Sequence, residues 1–174
     1  RLDAARGRYE ELVQTHPKAP QAAPALLRLG EMARVAGRLD EAAAWFRRAA
    51  DDYPKDEAAG EALKASALAR LRAGDAKGAL ADWDALLARK LDAETAAEAR
   101  LQKALTLIEL KKTKDALATL EEAAQGAQTA RAQYWRGVLL ADGEDWADAE
   151  RALRASLAAA PDPQTAALAR LRLA

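Results

Sequence analysis

Small and aromatic residues recur along the chain at three-and-four spacing. The sets are Ala42, Phe46, Ala49; Ala79, Trp83, Leu86; Ala116, Leu120, Ala123; and Ala149, Leu153, Ser156. An earlier copy runs from Leu2 through Tyr9 and Leu12 to Pro17. Successive copies lie 37, 37, 37 and 33 residues apart. The spacing within each copy predicts an amphipathic helix, and the spacing between copies predicts a repeat architecture. A second amphipathic segment precedes each complete copy: Ala25 to Gly30 with Ala33, Leu63 to Ala73, Leu101 to Leu110, and Tyr134 to Leu140.

Helix punctuation agrees with this alternation. Gly37 and Gly74 stand where a first helix must end and reverse, and Gly143 follows the fourth such helix. Asp75 and Asp145 fit N-caps of second helices. Asp40, Glu41, Asp115 and Asp148 fall in first turns, where the helix dipole favours acids. Pro17, Pro54 and Pro161 stop second helices. Each unit therefore reads as helix, tight turn, helix. The expected layout is one array over 1–174: full hairpins at 22–55, 60–90, 95–126 and 130–160, a second helix without its first at 1–18, and a lone terminal helix at 164–174. Because the chain opens inside a second helix, residues preceding Arg1 are expected.

Leu29-Gly30, Ala33, Ala42, Phe46, Ala49 and Pro54 follow the order large-small, small, alanine, aromatic, alanine, proline. This pattern resembles the tetratricopeptide (TPR) repeat, and the resemblance covers essentially the whole chain. It implies an all-α fold, a right-handed α-solenoid of four full hairpins plus half-repeats at both ends. Gly30, Ala67, Ala104 and Gly137 are small at one equivalent site, where the helices of a hairpin are expected to touch. Ser66, Lys103 and Arg136 depart from the large residue before that site, and Arg70 from the small one after it. The 37-residue period, with ends such as Tyr53-Pro54-Lys55-Asp56, is also similar to bacterial cell-envelope TPR proteins of the outer-membrane assembly lipoprotein and Tol-Pal-associated types. That second likeness favours the periplasm or cell envelope over the cytoplasm.

Composition narrows the chemistry. Lys plus Arg and Asp plus Glu are 27 each, so no net basic charge favours nucleic acid. Cysteine is absent, which removes disulfides and thiolate sites. No stretch approaches the roughly 18 apolar residues of a membrane span. His16, the only histidine, reads as a stand-in for Tyr53 with its ring between helices. Ser66 and Ser156 read as small packing residues. The pairs Asp51-Asp52, Glu121-Glu122 and Asp82 with Asp84 read as solvated helix surface. Trp83 and Trp146 read as buried plugs, and Trp45 as partly exposed. Of the adjacent Tyr134 and Trp135, one is expected to point inward. No catalytic residue, metal ligand or cofactor site emerges.

The resemblance implies a non-catalytic scaffold that binds a peptide or protein segment on its concave face. The family's inward-facing positions map onto Leu27, Glu31 and Arg34; Lys64, Leu68 and Leu71; Leu101, Leu105 and Ile108; and Tyr134, Val138 and Ala141. This surface begins charged and becomes apolar, and it lacks the lysine-and-asparagine clamp of co-chaperone TPR domains. The alternative is a structural or dimerising spacer for another domain, with self-association through exposed repeat ends.

Overall fold

The computed structural model describes residues 2–173. Arg1 and Ala174, the outermost residues of the two expected terminal helices, lie outside the described residues. Ten α-helices follow one another: α1 Leu2–Thr15, α2 Ala22–Val35, α3 Leu39–Asp52, α4 Ala58–Arg72, α5 Ala76–Leu87, α6 Ala93–Glu109, α7 Thr113–Ala123, α8 Thr129–Asp142, α9 Trp146–Ala158 and α10 Pro163–Leu173. A 3₁₀ turn, Gly126–Gln128, precedes α8. Four pairs, α2–α3, α4–α5, α6–α7 and α8–α9, form full hairpins, with α1 and α10 as the lone helices of the half-repeats. The contacts divide the chain into two compact units, Arg1–Arg89 and Lys90–Ala174.

All four hairpins turn in the same way. A residue just past each first helix takes a left-handed conformation: Gly37 (φ 73°), Gly74 (φ 85°), Lys111 (φ 57°) and Glu144 (φ 63°). The next amide then reaches back five residues. Arg38 N donates to Ala33 O at 2.9 Å, Asp75 N to Arg70 O at 2.8 Å, Lys112 N to Leu107 O at 2.9 Å, and Asp145 N to Leu140 O at 2.9 Å. This closure satisfies carbonyls that the helix end leaves open. In the fourth hairpin Glu144, not the neighbouring Gly143, holds the left-handed position, since Gly143 has φ −92°.

Second helices start on aspartates where the sequence supplies them. Asp75 accepts from Gly78 N at 2.9 Å and Asp145 from Asp148 N at 3.3 Å. Asp92 and Asp162 cap first-type helices α6 and α10 in the same manner, each also accepting from the threonine hydroxyl three residues on. Those hydroxyls, more than the backbone amides, hold both carboxyls below the usual aspartate range.

The core is thin and built largely from alanine. In the first unit Ala33, Ala42, Ala43, Phe46 and Ala69 form one buried cluster spanning α2, α3 and α4. The small residue of each first helix lets the second approach. A Cβ on Gly30 would lie 2.6 Å from Phe46 Cε1, and one on Gly137 would lie 2.7 Å from Leu153 Cγ. The second helices also tie back to earlier loops: Tyr53 Oη donates to Pro17 O, and Arg89 Nη1 donates to Pro54 O at 2.9 Å.

Three sequence expectations are corrected. Trp146 is 67% exposed rather than a plug, because it is the first residue of α9, ahead of the turn that packs. His16 is exposed and bonds the Thr15 hydroxyl at 2.6 Å, so its ring lies at a helix end and not between helices. Asp82 is fully buried instead of solvated, held by two arginines and a serine.

Candidate functional site

The candidate positions lie on first helices, and their accessibility differs between the units. On α2 Leu27 is half-buried against the Phe46 cluster. Four and seven residues on, Glu31 and Arg34 form a two-pronged ion pair: Arg34 Nε donates to Glu31 Oε2 at 2.8 Å and Nη2 donates to Oε1. The hydrogen-bonded guanidinium holds the Glu31 carboxyl below its usual range. On α4, Lys64, Leu68 and Leu71 repeat the same spacing. Lys64 and Leu71 are half-buried, and Leu68 is 37% exposed. The opposite face of α4 buries Leu63, Ser66 and Ala67. The first unit thus presents an accessible apolar stripe on α4 and a charge pair on α2.

In the second unit the stripe is more deeply set. Leu101 is fully buried, while Leu105, Ile108 and Ala141 are half-buried. Tyr134 and Val138 are buried in a cluster with Leu153 of α9 and Ala169 of α10. Trp135, half-buried, meets Tyr134 edge-to-face with ring centroids 5.5 Å apart. The structure therefore sets Leu105 and Ile108 at the surface and Leu101, Tyr134 and Val138 beneath it.

Two concavities were not anticipated from the sequence. One, of about 450 Å³, lies between α1 and α2, with Met32, Val35 and Ala36 as its apolar part and Arg6, Arg28 and Glu31 at its rim. Val35 is 75% exposed there. The other, of about 350 Å³, lies between α8 and the start of α10 and is bounded by Tyr134, Trp135, Leu168 and Arg131. The signal for the first was the Met32–Val35 pair at the end of α2, which the repeat signature does not include.

Among the described residues no cluster of histidine, cysteine and acids has the arrangement of a metal site. The buried acid–hydroxyl pair, Ser66 with Asp82, is sealed from solvent. No helix among the described residues is long and apolar enough to cross a membrane.

A family model described as tetratricopeptide repeat matches residues 1–57 and 101–163, more than half of the chain. The chain belongs to the tetratricopeptide repeat family. The unmatched stretch contains the second TPR hairpin, the one carrying Ser66, Arg70 and Asp82. No curated protein matches the sequence. Among solved structures the TPR chain is similar to YrrB, described as a TPR protein with an unusual peptide-binding site. The identity is 22% over 97% of this chain and 83% of that one, with a TM-score of 0.73. A tetratricopeptide repeat protein from Parabacteroides merdae is 20% identical over 99% of this chain and 67% of its own, at TM-score 0.71. A MamA protein is 18% identical over 88% and 84%, at 0.70. At these identities the likeness concerns the TPR fold. TPR proteins are generally non-catalytic scaffolds for protein–protein interaction.

Proposed function

We propose that this TPR chain is a non-catalytic scaffold that holds a peptide or protein segment along the concave side of its first helices. Leu27, Glu31, Arg34, Lys64, Leu68 and Leu71 in the first unit, with Leu105 and Ile108 in the second, make the direct contacts. Leu101, Tyr134 and Val138 support that surface from below. The observation that carries the reading is the α4 stripe, where two leucines remain accessible on a helix whose opposite face is packed. Accessible apolar residues at helical spacing suit an amphipathic or extended apolar segment. The peptide-binding site named for YrrB supports this reading by analogy.

The test is selection of a peptide from a displayed library, followed by fluorescence titration against the wild type and against Leu68→Glu and Leu105→Glu. Loss of affinity by roughly tenfold or more in either variant, with helicity intact, is the expected result. Unchanged affinity in both would remove the first-helix surface from consideration. The reading also places the protein in the periplasm or cell envelope, on the strength of the long repeat period. Fractionation of native cells tests that placement, and recovery in the cytosol rejects it.

A second reading, a dimerising spacer, is favoured by the exposed Val35 and Leu171, at 75% and 73%. Light scattering separates the two. A concentration-independent dimer that loses its second subunit on Leu171→Glu supports the spacer.

A further inference from the structure

The second hairpin differs from the other three at three positions together. Where the first hairpin has Leu29, Ala33 and Trp45, the second has Ser66, Arg70 and Asp82. The corresponding sets in the third and fourth are Lys103, Leu107, Thr119 and Arg136, Leu140, Ala152. No other set places an acid on the second helix opposite a hydroxyl and a guanidinium on the first. The three replacements meet in space. The Ser66 hydroxyl donates to Asp82 Oδ2 at 2.6 Å, and Arg70 Nε lies 3.0 Å from the same oxygen. Both Ser66 and Asp82 are fully buried.

The remaining ligand of Asp82 comes from the neighbouring hairpin. Arg47 on α3 donates from Nη1 to Asp82 Oδ1 at 2.8 Å, while its Nε is shared between the two oxygens of Asp51 at 2.9 Å. The Ser66 oxygen also lies 3.2 Å from the Ala43 carbonyl of α3, a weaker branch of the same hydroxyl. Arg70 is steadied in turn by Asp75, 2.9 Å from its Nη1. One buried carboxylate thus joins α3, α4 and α5 across the boundary between two hairpins.

We infer that this clasp is a register device: it specifies that the 22–52 hairpin packs against the 58–87 hairpin, in one alignment and against no other. In a repeat protein the apolar faces are near copies. Ala42-Phe46-Ala49 and Ala79-Trp83-Leu86 put apolar residues of similar kind at equivalent positions, so apolar burial discriminates poorly between alternative partners. Charge discriminates strongly. The residues equivalent to Arg47 are Asp84, Glu121 and Arg154, so Arg47 and Asp82 form a pair that no other adjacent hairpins reproduce. Any alternative packing leaves Asp82 with Ser66 and Arg70 of its own hairpin but strips Oδ1 of its cross-hairpin guanidinium, and removing one partner from a buried charge is disfavoured. The cost of desolvating the cluster is consistent with a role in specificity and not in net stability.

The chain has no cysteine, so paired spin labels can be placed cleanly at Ala44→Cys on α3 and Arg72→Cys on α4, both exposed. The label-to-label distance is read after refolding from denaturant. The parent should give one narrow distribution. Asp82→Asn should keep its helicity, lose roughly 5–10 °C in Tm, and show a broadened or second distance. A variant with Arg47→Met, Ser66→Ala, Arg70→Met and Asp82→Leu should melt at or above the parent temperature and still show the added distances. That combination separates register from stability. A single unchanged narrow distribution in both variants overturns the inference, as does a broad distribution in the parent. Loss of all helicity on Asp82→Asn also overturns it, because a register device leaves each hairpin intact.

Discussion

Gly30 on α2 lies against the ring of Phe46 on α3 with no space for a methyl group; a Cβ there would stand 2.6 to 2.9 Å from three ring carbons. Phe46 is itself 4% exposed, so the ring has nowhere to go. Gly30→Ala gains up to about 1 kcal/mol in helix propensity, but overpacking costs about 1–3 kcal/mol. A net loss of about 1 kcal/mol is expected, read as a lower urea midpoint at unchanged slope. Adding Phe46→Leu to that variant should recover part of the loss. A midpoint equal to or above the parent's would mean that the helices can separate freely.

Lys111 and Glu144 hold the left-handed positions that Gly37 and Gly74 hold in the first unit. A side chain in that conformation costs roughly 1–2 kcal/mol, partly offset by the roughly 0.4–1 kcal/mol that glycine adds to the freedom of the unfolded chain. Lys111→Gly and Glu144→Gly are therefore expected to raise stability, by about 0.5 kcal/mol each. Gly37→Ala and Gly74→Ala should lower it by about 1 kcal/mol, although both sites are open in space. Calorimetry on the four single variants checks the opposite signs.

Trp83 and Trp146 predict very different losses from the same truncation. Trp83 is fully buried in α5, and Trp83→Ala should cost about 3–5 kcal/mol. Trp146 is two-thirds exposed, and Trp146→Ala should stay within about 0.5 kcal/mol. Equal losses in denaturant titration would contradict the assigned burial.

Asp92 and Asp162 predict an acid limb of stability. Hydrogen bonds from Thr95 and Thr165 hold both carboxyls below their usual range in the folded chain. A carboxyl lowered on folding stabilises above its unfolded value, and that stabilisation is lost as pH falls through the folded value. The loss therefore belongs below roughly pH 4. Thr95→Ala should move the Asp92 titration midpoint upward in carboxyl-carbon NMR while leaving Asp162 in place. A midpoint that does not move would show that the backbone amides alone set it.

The fold was legible because each packing position recurs with residue types of one kind. Ala42, Phe46 and Ala49 return as Ala79, Trp83 and Leu86, and the glycines at 37 and 74 mark the reversals. Asp82 was misread for a local reason. Its neighbour Asp84 is exposed, and its partners Arg47 and Arg70 are 35 and 12 residues away, so nothing nearby signals the pairing. Its equivalence to the partly exposed Trp45 and its residue type both pointed outward. Helix phase put Tyr134 and Val138 on the candidate face of α8, but phase does not report what covers a face. Leu153 and Ala169, from later helices, bury both.

The four tryptophans are distributed with one consequence for optical work. Trp45 and Trp83 lie in the first compact unit, Trp135 and Trp146 in the second. Each unit therefore carries its own intrinsic fluorophores in contrasting surroundings: the first has the sealed indole of Trp83 and the Trp45 ring under Arg48, the second the largely hydrated indole of Trp146 and the Trp135 ring in edge-to-face contact with Tyr134. Loss of the first unit's packing should shift a blue-emitting ring toward red. Trp146, already two-thirds exposed, is expected to emit like a solvated ring and to change little. With single-tryptophan variants, the melting of the two halves can be followed separately by colour, without a dye.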